Sequence, residues 1–222
     1  MAAPRARAPE PTRDRLLAAA AAEFAARGFD GAKVDRIAAR ARVNKAMIYY
    51  HFASKAGLYR EILRDLFAEV AAALEPIPAS GEAPDVQLRR FVETLAAEAI
   101  ARPHFPAIWM REMAEGGRHL DGSTMLAMGG VLAVLRRILA NGRAAGRFGD
   151  AHPFLVQITI VGPLLLFAAS APLRRRLGHL VPSADLNPSR EAVTARVIAA
   201  SLAVLTDRAG APARPARRRT RP

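Results

Sequence analysis

Apolar side chains return along this chain every three to four residues, the spacing that lines one face of an α-helix. Leu16, Leu17, Ala20 and Phe24 share such a face in a first segment, which Thr12 can cap and which runs to about Arg27. The glycines of GFDG, 28–31, mark a turn. Val34, Ile37 and Ala38 define a short helix near 34–40, residues 41–43 a tight turn, and Asn44 the cap of NKAMIYYHF, 44–52. Ser54 caps a longer helix to Leu74, with Leu58, Ile62, Leu66 and Val70 in phase. Prolines and a glycine break the pattern in EPIPASGEAP, 75–84. It resumes near 85–101, 104–115, 123–145, 152–170 and 189–206. No stretch has the strict alternation of a half-buried strand. The pattern predicts an all-α protein of about nine helices. A helix-turn-helix domain is expected at 12–57 and a larger helical domain at 58–206. The arm at 1–11 and the proline- and arginine-rich tail at 207–222 are expected to be disordered.

The short helices at 34–40 and 44–52, joined by a three-residue turn, form the helix-turn-helix. Within NKAMIYYHF, helical phase turns Ile48 and Phe52 toward Ile37, Val43 and Leu58. Lys45, Ala46, Tyr49 and Tyr50 take another face, with Met47 and His51 on its flanks. A cation, a methyl, two phenols and an imidazole together suit the edges and phosphates of a nucleic-acid groove. All three tyrosines of the chain, Tyr49, Tyr50 and Tyr59, fall in this region, as a groove rather than a core would ask. Charge agrees. The chain carries a formal +13, and residues 12–67 hold 11 basic and 6 acidic side chains, against 14 and 12 over 68–206. The only lysines, Lys33, Lys45 and Lys55, lie in the first of these segments.

The stretch VDRIAARARVNKAMIYYHFASKAGLYREIL, 34–63, with the preceding LLAAAAAEFAARGFDGAKV, resembles the DNA-binding domain of the TetR (tetracycline-repressor) family. The resemblance implies an all-helical homodimer. Its N-terminal domain would grip palindromic operator DNA, and its C-terminal domain would bind a small effector and dimerise. It places Lys45, Ala46, Tyr49 and Tyr50 at base edges or nearby backbone, and His51 and Lys55 at phosphates. Two positions depart from the family pattern. Lys33 stands where threonine commonly opens the second helix, and Arg42 where the turn usually has glycine. A positive φ at Arg42 would cost about 1 kcal/mol, which a backbone contact to DNA could offset. Lys33, Arg42 and Met47 complete the candidate DNA-binding set.

The C-terminal part resembles the family in organisation more than in sequence. Trp109, the only tryptophan, clusters with Phe105, Met110, Met113, Met125 and Met128, residue types that line adaptable apolar cavities or fill a core. Phe91, Leu95 and Phe167 join Phe105, Trp109, Met113, Met125 and Met128 as the candidate effector pocket. The helices at 154–170 and 189–206 are too apolar for one buried stripe each, so Val156, Ile160, Leu164, Val193, Val197 and Val204 are expected at a twofold interface. The run FLVQITIVGPLLLFAAS, followed by Arg174–Arg176, approaches the length of a membrane span, but Gln157, Thr159 and Gly162-Pro163 interrupt it, and an interface helix is the expectation.

Arg111, Glu112, Glu115 and His119 invite comparison with a metal or acid–base site. Gly116-Gly117 breaks the helix that would align them, so a solvated helix end is expected. No metal-ligand spacing, glycine-rich phosphate loop or nucleophile elbow occurs, and neither cofactor nor enzymatic activity is expected. The chain has no cysteine and its opening residues lack the apolar stretch of a secretory signal, which together point to the cytoplasm. The competing reading is a small helical ligand-handling or membrane-associated protein with an incidental helix-turn-helix. The operator, the effector, the regulated genes and the sign of regulation leave no mark on the sequence.

Overall fold

Caps and glycines set most helix boundaries in the computed structural model, which describes residues 11–182 and 186–206. Helix α1 (Thr12–Gly31) begins after Pro11, and the Thr12 side chain makes no cap. Its last turn bends at Gly28, whose φ of 69° only glycine adopts without strain. Helix α2 (Val34–Ala41) is followed by α3 (Ala46–Phe52), where Asn44 Oδ1 accepts from the Ala46 amide at 2.9 Å. Ser54 Oγ accepts from the Gly57 amide at 2.9 Å and starts α4 (Lys55–Leu74). A 3₁₀ turn, Ile77–Ala79, occupies the proline-rich loop.

There follow α5 (Pro84–Ala101), α6 (Phe105–Ala114), α7 (Gly122–Ala144), α8 (Pro153–Ala169), α9 (Ala171–Leu177) and α10 (Arg190–Thr206). Asp121 caps α7, and bonds from the Thr124 amide and from the Ser123 and Thr124 hydroxyls hold its carboxyl down at about 2. The described residues thus hold ten α-helices, one more than the nine expected, and no strand. The addition is α9. The apolar run through Ser170 hides a 54° bend, after which Pro172 sits in the first turn of a new helix, where a missing N–H costs nothing. Arg174 secures the corner by donating to the Phe167 carbonyl and laying its guanidinium 4.0 Å over the Phe167 ring.

A single connected core runs through the helices. It includes Leu16 and Phe24 of α1, Leu63 and Leu74 of α4, Phe91 of α5, Leu135 and Ile138 of α7, and Ile160 of α8. Helix α7 lies along α4, and α4 passes unbroken through residue 57, the expected domain boundary. Among the described residues, α7 is the one helix long and apolar enough to cross a membrane by length and composition. The α8–α9 pair qualifies only across its bend. Both helices bury a face in the protein, α7 through Val131, Val134 and Leu135 and α8 through Val156, Ile160 and Leu164.

At the end of α7 the Arg147 and Phe148 amides both donate to the Gly142 carbonyl, folding the buried Phe148 ring onto Gly142. A Cβ at Gly142 would stand 1.9 Å from Phe148 Cδ2. Gly142→Ala is therefore expected to lower unfolding stability by about 1–3 kcal/mol, measured by urea denaturation followed by circular dichroism.

Candidate nucleic-acid interface and ligand cavity

The α2–turn–α3 unit is fastened from beneath. Ile48 and Phe52 are buried, Met47 is half-buried against the core, and Lys45, Ala46, Tyr49, Tyr50 and His51 face outward. Tyr50 is 79% exposed and Tyr49 52%, which for large aromatic rings marks a surface awaiting a partner. The Tyr50 and His51 rings meet edge-on at 5.0 Å, and Lys45 Nζ stands 3.2 Å from the exposed Asp35 carboxylate.

Arg42 has φ 55° and ψ 47°, the left-handed conformation that the sequence raised as a condition. The Val43 amide bonds the Ala38 carbonyl and the Arg42 amide that of Ala39, both at 3.1 Å, which is a Schellman closure of α2. From α1, Arg15 donates to the Ala41 and Arg42 carbonyls. The strain at Arg42 is thus offset inside the protein, without the DNA contact invoked from the sequence. Lys33 precedes α2 as an exposed side chain that makes no capping bond.

Lys55 is engaged within the protein. Its Nζ donates to the Phe29 carbonyl at 3.0 Å and the Ala32 carbonyl at 3.2 Å, and lies 4.5 Å over the Phe29 ring. Two of an ammonium's three donors are spent on the α1–α2 connection. The charge closes that junction and keeps one donor unspent.

Tyr59 corrects a sequence expectation. It is buried, packs edge-on against Phe24 at 4.9 Å, and donates to Glu112 Oε2 at 2.9 Å. Glu112, on α6, is also buried. Its carboxylate accepts from the His119 amide at 2.9 Å and meets His119 Nδ1 at 2.9 Å. Gly116 and Gly117, with φ of 73° and 74°, do break α6. The break folds His119 back onto Glu112 instead of into solvent, so the expected solvated helix end is an interior network. Burial works against the Glu112 charge, but the bonds from the His119 amide and ring and from Tyr59 outweigh it and hold the carboxyl below its ordinary range. Burial, then the neighbouring Glu112, push the Tyr59 phenol far above its usual range. Next to this network Arg111 donates to the Phe24 carbonyl at 3.1 Å and to the Ala25 carbonyl. Arg118 reaches Asp30 at 2.7 Å, and Phe29 lies 4.0 Å from the His119 ring. Helix α6 and its following turn thereby clasp the end of α1.

The other side of α6 borders a cavity of about 450 Å³. Phe105, Trp109, Met110 and Met113 of α6 meet Leu66, Phe67 and Val70 of α4, Leu95 and Glu98 of α5, Met128 and Val131 of α7, and Phe154, Gln157, Ile158 and Leu164 of α8. This size and apolar lining suit a drug-sized organic molecule.

Residues 16–62 match the family model described as bacterial regulatory proteins, tetR family. Over 148 residues the chain is 32% identical to the HTH-type transcriptional repressor NicS of Pseudomonas putida, covering 66% of this chain and 70% of that one. The chain belongs to the TetR family. It is a DNA-binding transcriptional regulator. Among solved TetR-like structures, the fatty acid degradation regulator FadR of Bacillus halodurans superposes with a TM-score of 0.70 at 18% identity, over 88% of this chain and 97% of that one. FadR of Bacillus subtilis, solved in complex with stearoyl-CoA, gives 0.66 at 15% identity, over 86% and 98%. At those identities the likeness is one of fold.

With the TetR fold in place, the expected pocket and interface residues sort by helical phase. Leu95, Phe105, Trp109, Met113 and Met128 line the cavity. Three expected members do not. Phe91 is fully buried in the core, Met125 is half-exposed on the first turns of α7, and Phe167 carries Arg174. Glu98, Gln157 and the α4 residues were missed, because a cavity wall and a core stripe have the same period in sequence. The interface set is corrected likewise. Val156, Ile160, Leu164 and Val197 are buried within the protomer, and Val193 packs half-buried against the core. Of the six, Val204 is exposed. The opposite phases face out: Leu155 and Leu166 on α8, and Ala192, Ala195, Ala199 and Ala203 on α10.

Two outcomes follow for this TetR-family protein. Lys55→Ala should lower unfolding stability by about 1–2 kcal/mol through loss of its two carbonyl bonds, read by denaturant titration. Glu112 titrates below the unfolded value of about 4.3, so its stabilising effect is complete above that value and fades as pH falls through the folded one. The stability difference between wild type and Glu112→Gln should accordingly be full at neutral pH and close on acidification. A difference independent of pH would refute the assignment.

Proposed function

We propose that this TetR-family regulator is a cytoplasmic homodimeric repressor that releases a palindromic operator when a small apolar or amphipathic molecule fills the cavity. One observation carries the reading. Helix α6 presents Trp109 and Met113 to the cavity and, from its other side, Arg111 and Glu112 to α1 and α4. A ligand that displaces α6 must strain the clasp or move the DNA-binding helices with it, which is differential binding to two arrangements of one protein. The stearoyl-CoA held by FadR of Bacillus subtilis supports the idea that this fold accommodates an apolar chain. The name of NicS supports repression as the sign of control.

In this reading Lys45, Ala46, Tyr49 and Tyr50 meet base edges or adjacent backbone. Lys33, Arg42 and His51 meet phosphates, and half-buried Met47 supports the helix from its flank. The dimer forms through the outward phases of α8 and α10, where an alanine face on α10 lets helices approach closely and Val204 extends the contact.

The test uses DNA from upstream of the protein's own gene in a fluorescence-anisotropy titration. Tyr49→Ala should weaken binding about tenfold or more, the size of one lost groove contact, with circular dichroism unchanged. Affinity should also fall steeply with added salt. An affinity equal to wild type would refute the α3 assignment. Ala199→Glu, on the outward face of α10, should shift sedimentation toward monomer and weaken operator binding with it.

A further inference from the structure

We infer that the cavity takes a lipophilic amine, an apolar molecule carrying a protonated nitrogen, received by Glu98 and Gln157, and that it disfavours anionic amphiphiles. The inference rests on the effector-site reading above and adds the chemistry of the occupant.

The charge of the wall comes first. Of the residues that line the cavity, Glu98 alone bears a formal charge, and no lysine, arginine or histidine is among them. Arg102 pairs with Glu98 through Oε2, but the same guanidinium also reaches Glu69. One guanidinium is shared between Glu98 and the exposed Glu69, which lies outside the lining, so the Glu98 charge is answered only in part. The Glu98 side chain is 25% exposed, so solvent screens it only in part. A carboxylate or phosphate headgroup would lose its water and meet a like charge, with no cation in the wall to answer it. An ammonium would complete the pairing.

A second feature is unconnected with that pair. Gln157 on α8 has its amide oxygen shut away from solvent, and no donor reaches it. Buried acceptors are rarely left so, because their lost water is not replaced. Gln157 lines the cavity, so an N–H of a ligand that reaches its amide can supply the missing bond.

The aromatic residues agree with both. Phe105 and Trp109 lie nearly parallel at 6.2 Å, and Phe67 stands edge-on to them at 5.7 Å and 5.0 Å. Ring faces carry partial negative charge and attract cations, most strongly where water is excluded. The Glu98–Arg102 pair alone would pass for an ordinary helix-surface bridge. It does not account for an orphaned amide and three rings in the same wall.

Trp109 is the only tryptophan in the chain and lines the cavity, so its fluorescence reports occupancy directly. Decylamine and decanoate, equal in chain and opposite in charge, are titrated below their micelle concentrations into the full-length protein at neutral pH. Decylamine should perturb the emission and saturate at least about tenfold tighter than decanoate. Glu98→Gln should bring the two affinities together, and Gln157→Leu should weaken decylamine, with operator affinity in the absence of ligand unchanged in both variants. Decanoate binding as tightly as decylamine would overturn the inference and leave the effector site standing. A preference for the amine that survives Glu98→Gln would overturn the role of Glu98. Silence of Trp109 toward both probes would overturn the effector-site reading, and this inference with it.

Discussion

Glu112 carries a full negative charge where water does not reach, and the surrounding helices are placed by the need to satisfy it. A buried carboxylate is tolerated only when most of its lone pairs are met. Here the donors come from two separate places, the Tyr59 hydroxyl on α4 and the His119 amide and ring beyond the α6 turn. Neither can shift without leaving the other's partner short. The double glycine, the bend at Gly28 and the reach of Arg111 to the α1 carbonyls all serve the same junction. The DNA-binding helices are therefore not loosely tethered to the rest. They meet it through a polar contact that is strong when complete and costly when partial.

That polar junction has an apolar counterpart on the other side of the same helix. Helix α6 is ten residues long, and its two sides face different chemistry, rings and methionines toward the cavity and charged groups toward α1. Apolar packing tolerates small adjustments of shape, whereas hydrogen bonds to a buried charge tolerate little. A change in what fills the cavity is thus absorbed softly on one side and felt sharply on the other. In the function proposed above, that asymmetry is what would let a weakly directional ligand drive a directional response.

Much of this was legible in the sequence, and the failures share a cause. The caps at Asn44 and Ser54, the inward phase of Ile48 and Phe52 and the outward phase of Tyr49 and Tyr50 are local properties, fixed by three or four neighbouring residues. Tyr59 and Glu112 were misread because their partners lie 53 and 7 residues away, the second across a reversal of chain direction. Tyr59 was grouped with the exposed phenols by proximity, although it shares a helical phase with buried Leu63 and Leu66. On α8 the sequence showed that both faces are apolar but not which one the protomer would keep. That choice belongs to neighbours α5, α6, α7 and α10, and it fell on Val156, Ile160 and Leu164.

Arg42 has a consequence for the nucleic acid itself. A glycine at that turn would leave the angle between α2 and α3 some freedom, to be settled on contact. An arginine held left-handed, closed by the Ala38 and Ala39 carbonyls and strapped by Arg15, fixes the angle before any duplex arrives. A stiff head cannot remould itself to a groove of the wrong width, so the adjustment passes to the double helix. With the DNA contacts proposed above, operators whose steps widen or bend at little energetic cost are expected to bind better than stiff ones, even at base pairs no side chain touches.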